Sequence, residues 1–248
     1  MAVRGKRLHI RGVPYKLESK IGYGLHSNVY SARDISTGRP VAIKIVEFGH
    51  GAAIKARTES RRQTFWKELD LLLHLQPLNP YIIRVLNWDS RETVGFIVME
   101  RGNTFRDTLV ETHLSGEKLQ LPLVKQFWSQ MVEAIYFLHR IGIVHADVKP
   151  ENFIQVGPDG TSLRLIDMGI SFRLPPFITS RLKTAAGTPG DNSNKIAFLG
   201  KLRNDIRIPP HPDPLLRSVL RKCLRFNPRR RPTAEKLMKH PYLTSGLH

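Results

Sequence analysis

The apolar residues of this chain change their spacing once, near residue 100, and that change limits the folds open to it. Before it, "YKLESKIG", "NVYSARD", "GRPVAIKIVEF", "RVLNWD" and "VGFIVME" are short, alternating and rich in β-branched residues, the pattern of half-buried strands. The first two flank "YGLHS", a glycine-containing turn. One helical stretch interrupts the series. "ESRRQTFWKELDLLLHLQ" puts Phe65, Leu69, Leu72 and Leu73 on one face and stops before "PLNP". From "RGNTF" onward helices take over: "LPLVKQFWSQMVEAIYFLHRIG" carries Phe127, Met131, Ile135 and Leu138 as one stripe. "DPLLRSVLRKCLRF" and "RPTAEKLMKHPYL" are two further amphipathic helices. Strands followed by helices predict an α+β chain with two segregated lobes, joined near Glu100 to Asn103.

A chain of 248 residues can bury one large core or two smaller ones. Its single cysteine, Cys223, excludes an intrachain disulfide and suits a reducing compartment. No uninterrupted apolar run approaches a membrane span, and the basic opening "MAVRGKRLHIRG" lacks the apolar core of a secretory signal. Lys and Arg number 39 against 21 acids, a formal net charge of +18. That balance favours polyanionic partners. No nucleic-acid module or base-stacking aromatic series accompanies it, so dedicated nucleic-acid binding is not expected.

Chemistry-bearing residues recur in a fixed order, and each has a plain structural alternative. Gly22 and Gly24 in "IGYGLHSNV" let backbone amides approach an anion, but an ordinary hairpin turn needs them equally. Lys44 of "VAIK" can reach a phosphate, or can face water as most lysines do. Glu68 lies one helical turn before Leu72; facing inward it can hold Lys44, facing outward it is a solvated carboxylate. In "GIVHADVKPENF" an acid, a cation and an amide (Asp147, Lys149 and Asn152) share a loop that Pro150 keeps from regular structure. Asp167 in "LRLIDMG" follows an apolar strand and precedes a glycine, where it can hold a metal or merely start a turn.

Taken together, that order resembles the protein kinases over about Tyr15 to Leu243. The segments "LHIRGVPYKLESKIGYGLHSNVYSARD", "VMERGN", "GIVHADVKPENF" and "LRLIDMGIS" resemble more narrowly the monopolar-spindle checkpoint kinases, a dual-specificity group of the mitotic apparatus. Ser27 stands where most kinases have a third loop glycine, and Ala146 where most have Arg, as in that group. The resemblance implies a two-lobed fold: a β-rich N-lobe over 1–100, a hinge at 101–103 and a mainly helical C-lobe over 104–248. It implies ATP and Mg2+ as cofactors, protein substrates at the spindle or kinetochore, and a location in nucleus, kinetochore or cytoplasm. Gly22 to Val29, with Gly24 and Ser27, would cover the phosphates; Lys44, held by Glu68, would contact them. Ile21, Val29, Ala42 and Ile154 would sandwich the adenine, with Met99 behind it and the backbone of Glu100 to Gly102 bonding its edge. Asp147 would take the substrate hydroxyl's proton, Lys149 would offset charge on the moving phosphoryl group, and Asn152 and Asp167 would hold magnesium.

Three departures follow. Met168 replaces the usual Phe and is expected to pack beneath the helix near Leu72 and His145. Ala146 removes the guanidinium that grips a phosphorylated activation loop, leaving Arg173, Arg181 and Lys183 as unassigned cations. After "AAGTPG" the sequence passes through "DNSN", residues 191–194, directly into "KIAFLGKLRNDIRIPPHP", so the kinases' proline-glutamate motif and central C-lobe helix have no counterpart. Loss of that helix would bare the faces around Met131 and Leu220, at a cost beyond the ~5–15 kcal/mol by which domains are stable. Residues omitted through disorder, splicing or a gene-model error fit that cost better than a true abridgement. Arg231 in "NPRRRPT" tests this: it turns outward or finds a substitute acid in the chain as written, and is buried against a gap if residues were lost. A nucleotide-binding scaffold without turnover and a basic adaptor for acidic partners are the two alternatives to a kinase.

Overall fold

A computed structural model describes residues 5–24, 26–49, 55–174, 213–225 and 230–245. Six strands form one antiparallel sheet: Arg7–Ile10 (β1), Val13–Tyr23 (β2), Ser27–Asp34 (β3), Pro40–Glu47 (β4), Val85–Ser90 (β5) and Val94–Glu100 (β6). The strand order is β1-β2-β3-β4-β6-β5. β1 was not expected from the sequence, because its basic residues mask a four-residue alternation. It joins β2 through Arg11 and Gly12, both at positive φ (46° and 80°), the geometry of a two-residue hairpin turn.

The sheet's two faces follow from its register, since directly opposed residues point the same way. Ala32, Val41, Ile43, Phe96 and Val98 face one side and form a core with Ile10, Tyr15 and Leu17. Val46 and Ile97 face the other, against Phe65 and Leu69 of helix α1 (Lys55–Leu75) and against Phe48. Gly95 is bare where the Phe65 ring presses on the sheet; a Cβ there would lie 2.6 Å from that ring. As expected, Phe65, Leu69 and Leu72 are buried, and Leu73 is partly so.

The rest of the described chain comprises Asn103–Thr104 (β7), Phe105–Ser115 (α2), Leu121–Arg140 (α3), Ile143–Val144 (β8), a single 3₁₀ turn at Pro150–Asn152, Phe153–Val156 (β9), Ser162–Leu165 (β10), Phe172–Arg173 (β11), Pro214–Cys223 (α4), Ala234–Met238 (α5) and Pro241–Thr244 (α6). The α3 stripe differs in part from expectation. Phe127 and Leu138 are buried, but Met131 and Ile135 are half-buried, and Gln130 and Ala134 complete the covered face. Hydrophobicity alone cannot centre a stripe that includes a glutamine and an alanine. The expected helix over "RPTAEKLMKHPYL" is two helices. Pro241 pushes His240 to an extended conformation (ψ 134°), which ends α5's run and lets the His240 ring cap Tyr242 N–H at 3.2 Å. Asp213 caps α4 by accepting from Leu215 and Leu216 N–H. Val132, Val219, Tyr242 and Leu243 form the core here, with Trp128 edge-on to Tyr242.

The chain divides into two compact units: Met1–Glu111 with Pro150–Gly169, and Thr112–Lys149 with Ile170–His248. Residues 150–169 belong to the first unit for a visible reason. β9 pairs with both β7 and β10, and the Ile83 N–H donates to the Leu165 carbonyl at 3.0 Å. Residues 190–194, the expected site of abridgement, lie outside the described residues.

Candidate active site

Within the first unit, strand alternation and register place Val29, Ala42, Lys44 and Met99 on the sheet face that α1 covers. Val29 opposes Lys44, Ala42 opposes Met99, and Gly22 opposes Val29. Lys44 sits on an interior strand, not an edge. Its Nζ donates to Glu68 Oε1 at 2.7 Å and Oε2 at 2.8 Å, and to Asp167 Oδ1 at 3.3 Å. Glu68 is only 4% exposed and faces inward from α1. Burial alone would lower the Lys44 ammonium's pKa; the carboxylates of Glu68 and then Asp167 outweigh it and hold the group well above its usual range. Burial pushes Glu68 up against the pull of the ammonium. Asp167 stands at φ 61° and its Oδ1 accepts the Gly169 N–H at 3.3 Å. Asn152 is buried, and its carbonyl accepts the Ile166 N–H at 2.9 Å, which places it beside the Asp167 turn.

The glycine hairpin carries Gly22 in β2 and Gly24 just after it, where Gly24 N–H donates to the Ser27 carbonyl at 2.7 Å. Ile21 is exposed, whereas Ala42 and Ile154 are buried. The linker after β6 is fastened at both ends. Glu100 Oε1 accepts the Arg84 N–H at 3.0 Å and lies 3.3 Å from Arg164 Nε. Gly102 backs onto the Gln155 carbonyl so closely that a Cβ would collide with that oxygen. We expect Gly102→Ala to cost about 1–3 kcal/mol by forcing β7 away from β9. Thermal denaturation measures it; an unchanged midpoint would show that the contact yields freely.

Within the second unit, Lys149 Nζ lies 2.6 Å from Asp147 Oδ2. The Asp147 N–H donates to His145 Nδ1 at 3.3 Å, and Ser171 Oγ donates to the His145 carbonyl at 3.2 Å. His145 and Ser171 are buried, so these two bonds fix the loop that bears Asp147. The sequence singled out His145 solely as a packing neighbour of Met168, and Ser171 not at all; the buried polar pair is recognisable only once β8 and β11 are seen to pair. Ala146 takes φ 69°, a left-handed conformation that costs a non-glycine residue about 1 kcal/mol. Of the three described non-glycine residues at positive φ, two are thus Ala146 and Asp167.

Met168 is fully buried. Arg173 is exposed on β11, and Arg181 and Lys183 lie outside the described residues. Arg231 turns outward. Its Nε donates to the Arg225 carbonyl at 2.7 Å, and among the described residues it has no carboxylate partner. That is the outcome expected of the chain as written. Among the described residues, no cluster of three metal-ligating side chains occurs and no helix is long and apolar enough to cross a membrane.

Known proteins bear on this arrangement. The protein kinase domain family matches residues 15–196. This chain belongs to the protein kinase domain family. Its α+β architecture, β-rich at first and mainly helical later, is that of the two-lobed kinase fold. It is 28% identical over 98% of its length to the dual specificity protein kinase Ttk of Danio rerio, and 26% identical over 97% to TTK of Mus musculus. It is 24% identical over 94% to the serine/threonine-protein kinase ppk34 of Schizosaccharomyces pombe. The chain spans 28% of the zebrafish protein, 33% of the mouse protein and 84% of the yeast one. The zebrafish alignment runs to 291 residues, more than the 248 of this chain, so that kinase has residues with no counterpart here.

Proposed function

We propose that this kinase-family chain transfers the γ-phosphate of ATP to Ser or Thr, and also Tyr, of protein substrates, with Mg2+ as cofactor. The observation that carries the reading is the bidentate Lys44–Glu68 pair, which presents an ammonium on the sheet face shared with Val29, Ala42 and Met99. Lys44 binds the α- and β-phosphates. Gly22, Gly24 and Ser27 cover the phosphates through backbone amides, while Ile21, Val29, Ala42 and Ile154 enclose the adenine with Met99 behind it. The backbone of Glu100 and Gly102 bonds the base edge. Asn152 and Asp167 supply hard oxygen donors, and magnesium sites of one or two such side chains completed by substrate phosphates are usual. The metal, when bound, offsets charge on the phosphates. Asp147 orients the substrate hydroxyl and accepts its proton, and Lys149, already against Asp147, offsets charge on the transferred group.

The finer placement, in the monopolar-spindle checkpoint group with kinetochore or other mitotic substrates and a nuclear, kinetochore or cytoplasmic location, rests on the motif resemblance and on the two Ttk relatives. Lobe boundaries at 1–100 and 104–248 with a hinge at 101–103 belong to the same reading. Incubation with labelled ATP and a generic protein substrate tests it: label on Ser or Thr, abolished by chelation of Mg2+, is the expected result. A second reading, a nucleotide-binding scaffold, is favoured by the residues present in the zebrafish relative and absent here. Nucleotide binding without any transfer would establish it instead.

A further inference from the structure

Glu18 lies on β2 at a bulge. Leu17 opposes Ala32 and Lys20 opposes Tyr30, so Glu18 and Ser19 together face Ser31. A bulge of this kind re-aims a side chain out of the regular alternation. The Glu18 carboxylate gathers three donors, two from β3 and one from the linker. The Ser31 hydroxyl, on a residue only 1% exposed, donates to Oε2 at 2.7 Å. Arg33 Nε stands 3.3 Å from Oε1, and Arg101 donates to Oε2 at 3.4 Å. The Ser31 hydrogen bond, with the Arg33 and Arg101 charges, holds the Glu18 carboxyl below its usual range.

The position of this carboxylate matters more than its strength. Glu18 precedes Ile21 and Gly22 on the same strand, and Ser31 follows Val29 on the next. Arg101 is the middle residue of the linker, between Glu100, fixed to Arg84, and Gly102, fixed against Gln155. Glu18 is therefore the side chain that ties the hairpin strands to the linker. We propose that Glu18 is a positioning residue for the nucleotide: it acts through Arg101 to set the spacing between the strands that cover the base and the backbone that bonds its edge. The proposal rests on the nucleotide site described above and adds a residue to it. An isolated surface pair would contribute next to nothing. The bulge and the buried hydroxyl make this one part of a network, and networks couple.

Steady-state kinetics of the full chain test the proposal, with Mg·ATP varied for wild type, Glu18→Gln, Arg101→Ala and the double variant. Each single change is expected to raise KM for ATP about three- to fivefold at unchanged kcat and unchanged KM for the protein substrate. The double variant should be no worse than either single, because both remove one linkage. A merely structural role would lower the melting temperature and the active fraction without a selective change in KM for ATP. Unchanged KM for ATP in both single variants, or effects that multiply in the double, would overturn the proposal while leaving the nucleotide site intact. A wild-type chain that transfers no phosphate from ATP would remove the reading beneath it, and the proposal with it.

Discussion

Asp147→Asn is expected to lower phosphoryl transfer by about 10²–10⁴-fold and to leave ATP affinity nearly unchanged. The amide retains the shape of the carboxylate but cannot accept the substrate's proton. It also loses the ion pair with Lys149, whose Nζ sits 2.6 Å away. In the proposed mechanism Asp147 meets the hydroxyl rather than the nucleotide, so binding and chemistry should separate. ATP affinity by calorimetry and substrate phosphorylation on one preparation read the two quantities independently. Turnover at the wild-type rate would remove Asp147 from the mechanism.

Lys44→Met should weaken nucleotide binding and transfer together, and should also destabilise the fold. The change removes the ammonium that meets both Glu68 oxygens and Asp167 Oδ1. Glu68 is then a carboxylate 4% exposed with its principal cation gone. Breaking a buried pair by deleting one partner costs about 3–5 kcal/mol, a large share of a domain's stability. A pH signature identifies the cause. Burial already raises Glu68, and Lys44 is what pulls it back, so the variant raises it further. A folded-state pKa above the unfolded one means that the folded chain binds more protons between the two, and stability therefore grows as pH falls through that window. The melting deficit of Lys44→Met should shrink on acidification below the raised Glu68 pKa, whereas Lys44→Arg, which keeps a cation, should show a smaller deficit. A deficit independent of pH would mean that lost packing, not the orphaned carboxylate, is responsible.

The sequence disclosed this site unevenly, for physical reasons. Lys44 and Glu68 were legible because a strand's period of two and a helix's period near four each place a side chain on one face, and both faces proved to be inward. The α3 stripe was displaced because Gln130 and Ala134 do not look buried by hydrophobicity. β1 was missed because Arg7 and His9 hide its alternation, and the Arg11–Gly12 turn was the available signal. The fastening of the linker was invisible for a different cause. Glu18, Arg84, Gln155 and Arg164 are distant from the linker in sequence, and the β2–β3 bulge with the β5–β6, β7–β9 and β9–β10 pairings brings them to Arg101, Glu100 and Gly102. Arg231 was legible as a residue that had lost its usual acid, and it does face outward.

The most direct measurement is the intact mass of a protein substrate after incubation with Mg·ATP and the full chain, beside an identical reaction with Asp147→Asn, with ATP affinity determined for both. The expected result is a substrate heavier by whole phosphoryl groups with the wild type, no such gain with the variant, and matching affinities. Substrate of unchanged mass beside a wild-type chain that binds Mg·ATP would contradict the account and leave a nucleotide-binding scaffold in its place.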